Sequence, residues 1–219
     1  IREMLPPGMG VIGQYGDIFT MTWELMGFEN FSYALFENSD LISAIMNQIG
    51  DTVYSMFEYF AQNDIVDALW YSDDIAYITG LMLSPDDLRK YFFPWLKKIG
   101  DLAKEYEKPL IYHSDGKLWD VFPDIIDCGV NALHPIEPKA MDIFKVKSFV
   151  GSQLCLIGNI EVGDILSLGT PKNVREAVMF NMGHLGPLGG YCIGSGNSIP
   201  NYVKYENYIA LIDTAKNYK

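Results

Sequence analysis

The chain has 219 residues, 49% of them hydrophobic and 14% aromatic, enough to bury a substantial core, and it is read as one domain over 1–219. Twenty-eight acidic against sixteen basic residues give a net charge of -12 and a pI near 4.5, which argues against nucleic acid or an anionic membrane as partner. Cys128, Cys155 and Cys192 form no CxxC pair, and the apolar runs are broken well before membrane-spanning length, so neither a disulfide framework nor a zinc knuckle is expected and a cytoplasmic location fits.

The chain opens at Ile1-Arg2-Glu3 without a methionine, and Pro6-Pro7-Gly8 reads as a turn into a strand, Val11-Ile12-Gly13-Gln14-Tyr15-Gly16. Gln14, Tyr15 and Asp17 then sit at the carboxyl end of that strand. Residues 18–25 predict a short helix stopped at Gly27. Ser39-Asp40 supplies an N-cap for a helix to about Ala61, with Leu41, Ile42, Ile45, Ile49, Val53, Met56 and Phe60 recurring at spacings of three and four as a core stripe. Residues 65–71 read as a strand closed by Ser72-Asp73-Asp74, two adjacent carboxylates that suit a general base or metal ligands as well as they suit a solvated turn. Ser84-Pro85-Asp86-Asp87 starts a helix that is interrupted or kinked at Pro94 and runs to about Tyr106.

Lys108-Pro109 opens the next strand, Leu110-Ile111-Tyr112, which is closed by His113-Ser114-Asp115-Gly116. Alternate side chains of a strand share a face, so His113 and Asp115 point the same way wherever the extended geometry persists. The bland alternative makes Asp115 a helix cap and His113 a satisfied core group. A helix over 118–127 and a strand over 130–134 lead into Pro135-Ile136-Glu137-Pro138, where Glu137 is held between prolines. A short helix near 141–146 precedes a strand over 152–157, closed by Gly158-Asn159-Ile160-Glu161. Thr170-Pro171 starts a helix through about Asn181, residues 189–193 form the last strand, and Gly194-Ser195-Gly196-Asn197 leads toward a closing helix over 205–218. His134 reads as a core residue and His184 as part of a surface loop.

Strand, polar carboxyl end and helix thus recur, which predicts a parallel sheet with helical crossovers: five clear strands and a sixth near Val11. No GxGxxG follows a strand and opens a helix, whereas polar groups close every strand, so a barrel with a shared rim is favoured over a doubly wound sheet. The chain is short for a complete eightfold barrel, which runs to about 250 residues.

The run His113-Ser114-Asp115-Gly116, with Pro135-Ile136-Glu137-Pro138, Gly158-Asn159-Ile160-Glu161, Leu168-Gly169-Thr170-Pro171, Gly189-Gly190-Tyr191 and Glu206-Asn207, resembles the uroporphyrinogen decarboxylase superfamily. Asp73-Asp74 and Leu83-Ser84-Pro85 fit as well. The resemblance implies a TIM-type (β/α)8 barrel, incomplete at its amino terminus, with a pocket at the carboxyl ends of the strands. It further implies dimerisation. Its decarboxylases use amino-terminal arginines that this chain does not include, a tyrosine where Trp23 stands, a serine near Ser72 and a late histidine near Ser195 or Asn197. Its zinc-dependent methyltransferases, which move methyl groups between a corrinoid protein and a thiol, use a His-x-Cys pair and a later Cys. The matching positions here are His113, Asp115 and Asn197, so oxygen ligands replace thiolates.

The resulting expectation is a methyltransferase that takes a methyl group from a small methylated or methoxylated substrate to a corrinoid protein, with a tetrapyrrole or other decarboxylase and a noncatalytic barrel as alternatives. His113, Asp115 and Asp73 are the expected catalytic groups. Gln14, Tyr15, Asp74, Asn159, Glu161 and Asn197 are expected to bind substrate. His113, Asp115 and Glu137 are expected to hold zinc or another divalent metal.

Overall fold

Among the described residues apolar runs of strand length become six strands that pair in parallel, and two further two-residue strands, Ala76–Tyr77 and Gly80–Leu81, come after the second of them before the next helix. The computed structural model describes residues 2–218. The six parallel strands are β1 (Ile12–Gly16), β2 (Ala68–Ser72), β3 (Leu110–His113), β4 (Ala132–His134), β5 (Cys155–Ile160) and β6 (Tyr191–Ser195). The helices are α1 (Ile18–Met26), α2 (Phe28–Glu37), α3 (Ser39–Gln62), α4 (Pro85–Tyr91), α5 (Phe93–Glu105), α6 (Phe122–Asp127), α7 (Ile143–Val150), α8 (Pro171–Leu185) and α9 (Tyr205–Lys216). Among the described residues no helix is long and apolar enough to cross a membrane.

The chain divides into two compact units. One comprises Ile1–Ile75, Leu81–Ser114 and Leu118–Asn131; the other comprises Ala76–Gly80, Asp115–Lys117 and Ala132–Lys219.

In the first unit β1, β2 and β3 align so that Gly16 lies beside Ser72 and Ser72 beside His113. Glycine is required at position 16, where a Cβ would stand 1.7 Å from the Ser72 carbonyl oxygen. The core is aromatic. Phe19, Phe31, Phe57, Tyr71, Phe92 and Tyr112 are all fully buried, and Tyr71 stacks on Tyr112 with ring centroids 6.1 Å apart. The buried stripe of α3 is Ile42, Met46, Gly50, Val53, Phe57 and Ala61, so of the expected positions only Ile42 and Val53 lie at its centre. The helix is rotated because Gly50 lets the Trp95 indole approach: a Cβ there would lie 2.3 Å from that ring. The cap of α3 is Asn38 rather than Ser39, its side chain accepting from the Leu41 amide. The Ser84 cap and the break before Pro94 are as expected.

In the second unit β4 and β5 pair through Leu133 and Leu156, and β5 and β6 pair from Leu156–Tyr191 to Ile160–Ser195. Its core is aliphatic: Ile160, Leu166, Val174, Val178, Ala210 and Leu211 form one cluster. Helix α8 begins with a reciprocal capping box, the Asn173 amide donating to Thr170 Oγ1 and the Thr170 amide to Asn173 Oδ1. β5 extends three residues beyond the sequence reading, so Gly158-Asn159-Ile160 is strand rather than the loop that closes one. His184 belongs to the last turn of α8 and not to a loop, because the helix runs four residues past Asn181.

Candidate functional site

Parity along β2 decides what the strand-end acids of the first unit do. Leu69 and Tyr71 are buried on one face, and Asp73 continues that face: it is 1% exposed. The Phe19 and Thr20 amides, Thr20 Oγ1 and Tyr71 Oη all donate to its carboxylate, at 2.7–3.0 Å. Asp73 is therefore the cap that α1 lacks locally, since Asp17, in left-handed conformation at the helix start, makes no side-chain cap bond. Burial pushes the Asp73 carboxyl up to about 7, against the pull of its four donors. Asp73, expected as a catalytic group, thus accepts from donors that all belong to the fold of its own unit.

Trp70, Ser72 and Asp74 occupy the alternate positions. Ser72 Oγ accepts from Trp70 Nε1 at 3.0 Å and from Gln14 Nε2 at 3.4 Å, and the Trp70 ring lies 6.4 Å from the His113 imidazole. His113 Nε2 is 3.8 Å from Asp74 Oδ1, the imidazole largely buried and the carboxylate half-exposed. Burial lowers the basicity of His113, and Asp74 opposes that shift, so at neutral pH the ring is neutral with a lone pair for a cation or proton. The turn that carries Asp74 is pinned to β3: the Asp73 amide donates to the His113 carbonyl, Tyr112 Oη to the Asp73 carbonyl, and the Ile75 amide to Ser114 Oγ. Tyr15, one residue past Gln14, faces the other way and does not join this group. Asp17, which the candidate set omits, is raised by burial first and then by Asp74 and Glu24; its place directly after β1 was the signal.

In the second unit Asp115 and Asn197 meet, 82 residues apart, with Asn197 Nδ2 donating to Asp115 Oδ2 at 2.6 Å. The next amide, Gly116, donates to Glu137 Oε2 at 3.1 Å. Glu137 and Asn197 line a cleft of about 470 Å³ together with Lys139, Glu161, Ser198 and Tyr202. Glu161 caps the helical turn Val162–Ser167, accepting from the Asp164 and Ile165 amides, and its other oxygen is 3.2 Å from Lys139 Nζ. Burial would raise its carboxyl, but the backbone amides and Lys139 outweigh burial and hold it below the usual range. Asn159 lies elsewhere. Its Oδ1 accepts from Asn181 Nδ2 of α8, and it lines an adjoining cleft of about 670 Å³, lined also by Phe144 and Phe180, which shares Glu161 with the first. Asn159, expected to bind substrate, lies inside the strand because β5 runs on to Ile160.

The uroporphyrinogen decarboxylase (URO-D) family model matches residues 1–218. Methylcobamide:CoM methyltransferase MtbA of Methanosarcina acetivorans is 24% identical over 189 residues, which are 84% of this chain and 52% of that protein. A methyltransferase from Methanosarcina mazei superposes with a TM-score of 0.81 at 19% identity, covering 99% of this chain and 61% of the other. That likeness shows the fold, α/β of the TIM-barrel type, and this chain spans between half and two thirds of the length of either protein.

Proposed function

The chain belongs to the uroporphyrinogen decarboxylase family, and from that premise we propose that it is a methyltransferase, passing a methyl group from a small methylated or methoxylated compound to a corrinoid held by a partner protein. Similarity to MtbA and to the Methanosarcina mazei methyltransferase supports the reaction class. One observation carries the reading: the Asn197 amide rests on the Asp115 carboxylate, joining the two positions that correspond by resemblance to the cysteine ligands of thiol-activating relatives.

A metal fits the residues present. His113 keeps its imidazole neutral with Asp74 beside it, and the resemblance adds Asp115, two residues on in the sequence, as a ligand position. Such a set suits zinc or a harder divalent cation acting as Lewis acid on an oxygen, where thiol activation calls for sulfur ligands. Asn197 would orient Asp115, and Glu137 would fix the same loop through the Gly116 amide. Gln14 and Ser72, on the His113 face, would contact the methyl donor.

The test is methylation of cob(I)alamin by the zinc-loaded protein with a panel of O-methyl and N-methyl donors, followed by the visible spectrum of the cobalamin. Methylcobalamin should accumulate with at least one donor. His113→Ala should lose both the bound zinc and at least 100-fold in rate. No transfer from any donor in the panel overturns the reading.

A further inference from the structure

Outside the candidate site, the second unit places two thiols side by side. Cys155 opens β5 and Cys192 is the second residue of β6; their Sγ atoms are 3.9 Å apart, and both are reduced. The register explains the meeting. Leu156 pairs with Tyr191 and Ile157 with Cys192, so Cys155, Ile157 and Cys192 share the face opposite the buried Leu156 and Ile160. Cys155 is half-buried and Cys192 exposed, so the pair is open to solvent ions. The thiols lie at the amino-terminal end of these strands, whereas Glu161 and Asn197 follow the carboxyl ends.

We propose that Cys155 and Cys192 form a two-thiolate site for a soft monovalent cation of the Cu(I) class. The separation permits it. Two sulfurs about 2.3 Å from a shared ion held between them in a line lie about 4.6 Å apart, so from the observed 3.9 Å the thiols need only part by a few tenths of an ångström. A disulfide would require the sulfurs to close to about 2.05 Å, and the register makes the two cysteines diagonal rather than facing neighbours on their parallel strands. Ligand number favours it too. Among the described residues no third His, Cys, Asp or Glu completes a set with them, which leaves Zn(II) short of its tetrahedron but satisfies a soft ion content with few sulfur ligands.

Charge is also accommodated. Binding of Cu(I) by two thiols releases two protons and leaves a complex of charge −1. The ammonium of Lys147, a residue only 8% exposed, donates to the Gly190 carbonyl at 3.3 Å, two residues before Cys192. It supplies the balancing positive charge.

The experiment is an anaerobic titration of the reduced protein with Cu(I) against the chromogenic chelator bicinchoninate. One equivalent should be withdrawn from the chelator, Cys155→Ser and Cys192→Ser should each weaken binding at least 100-fold, and Cys128→Ser should leave it unchanged. In the unsubstituted native protein one equivalent of Cu(I) should also shield Cys155 and Cys192 from alkylation, mapped by peptide mass, whereas the buried Cys128 is inaccessible with or without the ion. That measurement is independent of whether the serine variants fold. Binding that survives either serine substitution, absence of shielding, or a thiol count of one in denaturant before any oxidant is added would overturn the proposal.

Discussion

In the first unit the strand-end acid Asp73 lies inside the fold with four donors turned onto it, whereas in the second unit Glu137 and Glu161 remain at the rim of a cleft and accept from loop amides. The cores differ in the same sense: fully buried aromatic rings dominate the first, aliphatic side chains fill the second. The difference teaches that a carboxylate after a strand is not a site by virtue of its position. After β2, where the acids follow the strand without a spacer, pleat parity sends Asp73 to the helix layer and leaves Asp74 beside His113. After β4 and β5, loops set the direction of the acid.

Substitution at Asp73 gives the largest test of that comparison. Asp73→Ala removes a helix cap, worth about 1 kcal/mol, and leaves buried donors of Tyr71, Thr20 and the α1 backbone unpaired at about 1–3 kcal/mol each before relaxation. A loss of about 4 kcal/mol is expected in urea unfolding. If Asp73→Ala and Glu161→Ala cost the same, the distinction between interior and rim acids fails.

Much of the fold was legible in the sequence because buried parallel strands are written as continuous apolar runs: Leu110-Ile111-Tyr112 and Val130–His134 need no long-range information. Helix α2 was not legible. It begins at Phe28 directly after Gly27 with no side-chain cap, and only Phe31 and Ala34 of its ten residues are buried, too sparse a stripe to read. The end of β5 was misplaced because Gly158 and Asn159 are residues that ordinarily mark a turn. In the second unit, the resemblance brought out Asp115 and Asn197 as related positions, and their side chains meet. The sequence could not divide Asp73 from Asp74, since their opposite roles depend on which residue ends the pleat, and it could not pair Cys155 with Cys192, since that needs the register of two strands.

The next effect in size concerns metal affinity. If Asn197 orients Asp115 as a ligand, Asn197→Ala should weaken zinc binding by about 10–100-fold, the usual penalty for losing a group that positions a ligand, with little change in unfolding midpoint. Calorimetric titration with zinc reads the affinity. An unchanged affinity would return Asn197 to a purely structural part in the second unit.

Asp73 also has a pH signature. Its folded carboxyl is raised to about 7, above the usual value of about 3.9. Between those values the folded chain binds a proton that the unfolded chain has released, so this contribution to stability is fully present at low pH and declines as pH rises through the window. The slope is at most about 1.4 kcal/mol per pH unit. Asp73→Asn should abolish it: the stability difference between the parent and the variant should shrink steadily from pH 4 to pH 7 in urea titrations.

Glu161 gives the smallest effect and the opposite sign. Its carboxyl is held below the usual range, so its stabilisation is present above the unfolded value of about 4.3 and lost as pH falls through the folded one. Glu161→Ala should cost about 1 kcal/mol at pH 7, the worth of one cap, and less below pH 4. Glu161→Gln keeps an acceptor for the Asp164 and Ile165 amides and loses only the ion pair with the half-exposed Lys139, which is worth a few tenths of a kcal/mol at most, about 0.5. Two acids that each follow a β-strand would then push stability in contrary directions with pH, which follows only if one is enclosed and the other faces a wet cleft.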